Sequence, residues 1–205
     1  MIMERIAIYG GSFDPPHKGH KALAENLAKA CGIDKVIIVP TAMSPFKDKS
    51  GASAEDRLNM CRLNFSEDLF LVSDVEIQRG GKSYTVDTVS AVKEMYPDSQ
   101  LHLFMGDDML LSFHRWYEYR RIMSMCHIVA ACRTENLAEL DAMRDYARDV
   151  LGDDGTGVTI CSSVPVEVSS TEIRNQLVKK GGSEMLSPEV NKYIKSRGLY
   201  REQRC

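Results

Sequence analysis

Short apolar, β-prone runs alternate along this chain with segments of helical pattern, and this alternation restricts the possible folds more than any other feature. The first run, residues 6–9, leads to a helical segment over 18–30 in which Leu23, Leu27 and Ala30 share a face. The run 36–39 leads to 53–64, opened by the capping pattern Ser53-Ala54-Glu55-Asp56. The spacing then predicts an extended segment at 69–77, a helix at 85–95, a strand at 101–105, a helix at 116–125, a strand at 127–132, a helix at 137–151 and a strand at 158–161. Strands joined by helix-length connections run parallel, so the expected fold class is α/β, a doubly wound parallel sheet with helices on both faces. A short β-like run at 164–168 and two C-terminal helices follow, one from about Ser170 to Lys180 and one opened by Ser187-Pro188 and closed at Gly198. Gly152-Asp153-Asp154-Gly155-Thr156-Gly157 reads as a surface turn, no internal repeat is found, and 205 residues suit a single domain over 1–205.

Ligands of such sheets lie beyond the carboxyl ends of the strands, near the point where strand order reverses. There the chain places Gly10-Gly11-Ser12-Phe13-Asp14-Pro15-Pro16-His17-Lys18-Gly19-His20, between the first strand and the first helix. Gly10 and Gly11 permit dihedrals and close approaches that a Cβ blocks, N–H groups at the helix start point at an anion, and His17 and His20 add donors beside it. The stretch is neither a Walker loop nor a Gly-x-Gly-x-x-Gly fingerprint. Its His-x-Gly-His pattern resembles the nucleotidylyltransferase superfamily, whose members hold the α- and β-phosphates of a nucleoside triphosphate with it. The resemblance implies a Rossmann-like nucleotidylyltransferase fold, with Gly10, Gly11, Ser12 and Phe13 at ATP and His17 and His20 as the catalytic pair.

Near the carboxyl end, Ser169-Ser170-Thr171-Glu172-Ile173-Arg174 opens another helix. Its three hydroxyls and free backbone N–H groups form an anion seat, and Arg174, one turn on, reaches the same oxygens with a planar fork. Taken alone, the segment reads first as an ordinary N-cap beside a surface arginine, since Ser and Thr are the usual caps. The superfamily holds the β- and γ-phosphates with a Ser-Ser/Thr-x-x-Arg turn, and this sequence carries one in register. In-line attack on an α-phosphorus needs positioning and electrostatics rather than a protein nucleophile.

Composition sets the remaining bounds. A hydrophobic share of 43% and a charged share of 27% suit a soluble globular protein. A net charge of −3 with dispersed Lys and Arg argues against a broad nucleic-acid face. No run is long enough for a membrane helix, and 1–9 is too short and mixed for a signal peptide, so the cytoplasm is expected. Six cysteines, at 31, 61, 126, 132, 161 and 205, show no zinc-ligand spacing and read as reduced thiols, so no protein metal site is expected. Eleven methionines read as core fillers, and His102, His114 and His127 receive no chemistry.

The middle of the chain narrows the acceptor. Val72-Ser73-Asp74-Val75-Glu76, Ser83-Tyr84-Thr85-Val86-Asp87-Thr88, Gly106-Asp107-Asp108-Met109, Arg115-Trp116-Tyr117 and Ala131-Cys132-Arg133 together look like the bacterial nicotinate-mononucleotide adenylyltransferases, a resemblance running from Ile6 to about Arg174. It implies transfer of the adenylyl group of MgATP to nicotinate mononucleotide, giving nicotinate adenine dinucleotide and pyrophosphate on the route to NAD. It sets Trp116 against the pyridine ring, the N–H groups of Thr85 and Tyr117 at the nicotinate carboxylate, Tyr84 in the same pocket, Arg133 at a phosphate, and Asp108, after Gly106, at a ribose hydroxyl. Mg²⁺ would bridge the phosphates, with water and substrate oxygens as most of its ligands. Ser44-Pro45-Phe46-Lys47 departs from the family's Pro-Pro-His-Lys: Lys47 remains a candidate phosphate contact, whereas Phe46 donates no hydrogen bond. Other acceptors, nicotinamide mononucleotide or phosphopantetheine, are the alternatives within enzymes, and Trp116 with Ser83-Tyr84-Thr85 favours a pyridine ring. A nucleotide-binding regulator that has lost catalysis is the alternative from another class, and the retained His17 and His20 speak for the enzyme.

Overall fold

The computed structural model describes residues 3–43, 51–132, 136–162 and 168–201. Over these residues strands and helices alternate as β1 Arg5–Gly11, α1 Lys18–Cys31, β2 Lys35–Pro40, α2 Ala54–Asn64, β3 Phe70–Val72, α3 Val75–Arg79, α4 Thr85–Met95, β4 Gln100–Gly106 and α5 Asp107–Leu110. They continue as α6 Tyr119–Met125, β5 His127–Cys132, α7 Leu137–Tyr146, β6 Val158–Ser162, α8 Ser170–Lys180 and α9 Pro188–Arg197. The sheet has the order β3-β2-β1-β4-β5-β6, every neighbouring pair parallel. Strand order reverses between β1 and β4, which makes their carboxyl ends the crevice of a doubly wound sheet.

Alternation along β1 shows why both faces are covered. Ile6 and Ile8 enter a core with α4 and α6, whereas Ala7 and Tyr9 enter a second core with Ala24, Leu27 and Ala28 of α1. A third, smaller core joins α2 to α8 and α9 through Met60, Ile173, Leu177, Val190 and Ile194. It presses the C-terminal helices against the loop that follows β1, where the Lys18 N–H donates to the Met185 carbonyl at 2.9 Å. Among the described residues no helix is long and apolar enough to cross a membrane. Cys61, Cys126 and Cys132 are buried thiols as expected, and the free Cys31 and Cys161 lie half-buried with sulfurs 3.7 Å apart.

Three expected elements differ from the structure. The apolar run 69–77 is only briefly a strand: after β3 the Ser73 hydroxyl accepts the Val75 N–H, at 3.3 Å, and the chain coils into α3. The helix expected from 116 begins at Tyr119; Phe113–Arg115 forms a 3₁₀ turn, and Trp116 is extended because the fully buried Phe113 ring anchors it edge-on at 5.2 Å. The helix expected through 151 ends as α7 at Tyr146 and continues as one π turn, Ala147–Leu151, closed by Gly152 at φ 74°. The run expected at 164–168 lies, up to 167, outside the described residues.

Candidate active site

β1 stays extended through Gly10 and Gly11, which pair with Val39 and Pro40, and neither glycine has a positive φ. The expected glycine turn is therefore an extended strand end. Space, not backbone freedom, excludes a side chain at Gly11, since the Phe13 ring lies 3.1 Å from where a Cβ would stand. Phe13, at φ 47°, is buried against Tyr9, His20 and Phe65. Its side chain belongs to the core, so only its backbone is available to a ligand.

His17 and His20 cap the first turn of α1 reciprocally. The His20 N–H donates to His17 Nδ1 at 3.4 Å, and the His17 N–H donates to His20 Nδ1 at 3.3 Å, with the rings stacked 3.7 Å apart. Both Nδ1 atoms act as acceptors, so a ring proton on either imidazole stands on Nε2 and each ring carries an Nε2–H donor. Gly19 makes this possible, since a Cβ there would stand 3.0 Å from both His17 Nδ1 and Val168 Cγ1. The glycine of His-x-Gly-His is thus a steric requirement of the paired cap.

Burial of His17, 5% exposed, pulls its pKa from 6.5 down to about 4, so the ring is neutral near pH 7. The unfolded chain takes up this proton near pH 6.5 and the folded chain only near pH 4. Between those values the unfolded state binds more protons, and stability falls as pH drops through the window, by about 3 kcal/mol in all. Urea unfolding from pH 7 to pH 4 measures the loss. His17→Asn, which keeps a cap but has no titrating ring, is expected to remove that share of the slope, and an unchanged slope would refute the assignment.

The α8 start reaches the same loop. Ser169 closes a capping box with Glu172, the Ser170 hydroxyl donates to the Pro15 carbonyl at 3.2 Å, and Thr171 Oγ1 accepts from Arg174 Nη2 at 3.0 Å. All three hydroxyls expected to form an anion seat thus have partners within the protein, and of the first-turn N–H groups that of Glu172 donates to Ser169 Oγ at 3.2 Å. Arg174 Nη1 donates to the Asp14 carbonyl at 2.7 Å, bringing the guanidinium beside the histidine loop. The Asp14 carboxylate accepts from the N–H groups of Gly51 and Ala52 and from the Tyr200 hydroxyl, at 2.6, 3.1 and 2.6 Å. Residues from both ends of the chain therefore fix one loop.

A cleft of about 530 Å³ opens on the other side of Gly10-Gly11-Ser12. It brings together Tyr84, Thr85, Trp116 and Tyr117, four residues singled out in the sequence. The Tyr84 and Tyr117 rings lie 5.1 Å apart, and Thr85 is the first residue of α4, whose opening N–H groups face no capping side chain. Gly106 caps α5, with Asp108 in its first turn and exposed. Neither Gly106 nor Asp108 lines the cleft; both stand at the end of β4, across the crevice from Gly11. Lys47, Phe46 and Arg133 lie outside the described residues.

Sequence reasoning missed Arg57, which is 2% exposed in α2. Its Nη1 donates to the Ser12 carbonyl at 2.7 Å and its Nη2 to those of Thr41 and Ala42 at 2.6 and 3.3 Å, clamping the ends of β1 and β2 together. Burial lowers the guanidinium pKa, with Asp14 the first group opposing that shift. A signal existed: in α2 polar residues are interspersed with Leu58, Met60 and Cys61 instead of keeping to one face, so some of them must point inward. Asp14, Glu76 and Tyr200 were missed as well.

A cytidylyltransferase-like family model matches residues 8–176, from β1 into α8, and so takes in the histidine pair, the cleft and Arg174. A protein of Neisseria meningitidis serogroup B named probable nicotinate-nucleotide adenylyltransferase is 38% identical over 207 residues, covering 98% of this chain and 100% of the relative. The chain belongs to the nicotinate-nucleotide adenylyltransferase family. A second relative carrying that name, from Gemmatimonas aurantiaca, is 39% identical over 97% of this chain and 93% of its own length. The fold of this nicotinate-nucleotide adenylyltransferase family member is similar to that of Plasmodium falciparum nicotinic acid mononucleotide adenylyltransferase. The TM-score is 0.73 at 18% identity for that enzyme complexed with NaAD, with 96% of this chain and 97% of that chain covered.

Proposed function

We propose that the cleft holds nicotinate mononucleotide with its pyridine ring against Trp116 and its carboxylate at the start of α4, while the histidine pair and the α8 start hold the triphosphate of MgATP. The reaction is adenylyl transfer from ATP to nicotinate mononucleotide in NAD biosynthesis. An oxygen of the acceptor's 5′-phosphate bonds to the α-phosphorus, the bond from that phosphorus to the β-phosphate bridge breaks, and pyrophosphate leaves. The observation that carries this reading is the shared wall: Gly10-Gly11-Ser12 lines the aromatic cleft and runs directly into His17 and His20. Two bound phosphates meeting there need only alignment and donors, which the two Nε2–H groups, the α8 N–H groups and Arg174 supply.

The groups surrounding the triphosphate position are donors, and among the described residues no group of three or more His, Cys, Asp or Glu could hold a metal. Mg²⁺ is assigned to the substrate, where phosphate oxygens and water would hold it. Asp108 and Gly106 are assigned to the adenosine ribose, Gly10 to Phe13 and Lys47 to the nucleotide, and Tyr84, Tyr117 and Arg133 to the acceptor. A cytoplasmic setting accords with the free thiols.

Pyrophosphate release with MgATP and, separately, nicotinate mononucleotide, nicotinamide mononucleotide or phosphopantetheine tests the assignment, with products identified by mass. Highest kcat/KM with the nicotinate acceptor is expected, and turnover confined to another acceptor would overturn it. Trp116→Ala is expected to raise KM for the mononucleotide about tenfold or more, from lost stacking, with KM for ATP little changed. Equal effects on both substrates would contradict a stacking role.

A further inference from the structure

Glu76, in α3, is 5% exposed and lines the acceptor cleft with Ser83, Thr85 and Thr88. Its Oε1 accepts the Thr88 hydroxyl at 2.6 Å, and its Oε2 is buried with no hydrogen-bond partner. Among the described residues no Lys or Arg nitrogen stands within 4.0 Å of this carboxylate. Arg79 directs an N–H to Thr88 Oγ1, at 3.3 Å, and Arg57 spends both its Nη groups on carbonyls. A buried carboxylate is costly unless an opposite charge stands directly against it, and Arg57 reaches Glu76 only through its field, with no hydrogen bond between them. Joining α3 to α4 does not require that charge, because a neutral amide oxygen would accept the Thr88 hydroxyl equally well.

The proposed acceptor supplies what is missing. A pyridine ring joined to ribose through its nitrogen carries a fixed positive charge, and its carboxylate carries the opposite one. The cleft holds a complement to each, N–H groups at the start of α4 and the carboxylate of Glu76, with the Trp116 face adding cation–π attraction. We infer that Glu76 is a specificity-determining residue that selects a positively charged pyridinium ring over its neutral 1,4-dihydro form. The inference rests on the acceptor reading above.

The test measures kcat/KM by pyrophosphate release for nicotinate mononucleotide and for its chemically reduced 1,4-dihydro form, using the full chain and MgATP. The wild-type protein is expected to favour the oxidised ring about tenfold or more. Glu76→Gln, which keeps an acceptor for Thr88 and removes the charge, is expected to lower that ratio about tenfold. Thr88→Val, which breaks the link and keeps the charge, is expected to leave the ratio in place, as a purely structural role for Glu76 would not. A wild-type ratio near one, or the same ratio in Glu76→Gln, overturns the inference while leaving the reaction intact. Turnover with neither ring form, alongside turnover with phosphopantetheine, overturns the acceptor reading and the inference together. Should Glu76→Gln fail to fold, quenching of Trp116, the one tryptophan of the chain, compares binding of the two ring forms to the wild-type protein, and equal affinities overturn the inference.

Discussion

The His20→Ala protein is expected to turn over about 10²–10³-fold more slowly than its parent while remaining folded. Under the proposed assignment, the substitution removes one Nε2–H donor from the position where charge develops on the α-phosphate and the departing pyrophosphate. It keeps the His17 half of the cap, whose acceptor is His17 Nδ1 and whose donor is the backbone N–H of residue 20, and gives up only the His20 Nδ1 acceptor for the His17 N–H. His17→Ala would be a poorer experiment, since it deletes the cap itself and mixes a stability loss of about 1 kcal/mol with the kinetic effect. Single-turnover rates with saturating MgATP and acceptor, beside a thermal melt, separate chemistry from folding. Near-parental turnover in a folded His20→Ala protein would remove the residue from the mechanism.

Arg57→Met is expected to destabilise the protein by about 3 kcal/mol, a fall in Tm of roughly 6–12 °C for a chain of this size. Two effects oppose each other here. Removing a buried guanidinium relieves its desolvation, but it strands the carbonyls of Ser12, Thr41 and Ala42, each of which loses a hydrogen bond that methionine cannot replace. The second effect wins because those carbonyls belong to two different strand ends, which among the described residues are joined at that height otherwise only by Thr41, whose N–H and hydroxyl both donate to the Gly11 carbonyl. Arg57→Lys keeps the charge without the planar fork and is expected to recover only part of the loss. A melting temperature unchanged in Arg57→Met would show that the clamp contributes nothing to folding.

Much of the architecture was legible because its causes are local. The 36–39 run becomes β2, Ser53 caps α2 through the Asp56 N–H, Ser187-Pro188 opens α9, and Gly198 closes it at φ 66°. The extended run at 69–77 failed for an equally local reason that apolar periodicity does not register, the Ser73 hydroxyl turning the chain after β3. Site residues followed the same division. Tyr84, Thr85, Trp116 and Tyr117 meet in one cleft, as their motifs implied. The hydroxyls at 169–171 each have a partner within the protein, contacts that the motif alone does not reveal.

By itself the sequence determined the strand and helix alternation, the histidine motif at the start of α1 and the family to which the chain belongs, since each resides in residues a few positions apart. Only the tertiary structure decided that Arg57 would be buried beneath the loop of Ser12, that Glu76 would line the aromatic cleft with one buried oxygen lacking a hydrogen-bond partner, and that Tyr200 would reach Asp14. Those three are charged or polar side chains whose partners lie 45, 12 and 186 residues away. Burial of such a group depends on every element packed around it, and no window of neighbouring residues carries that information.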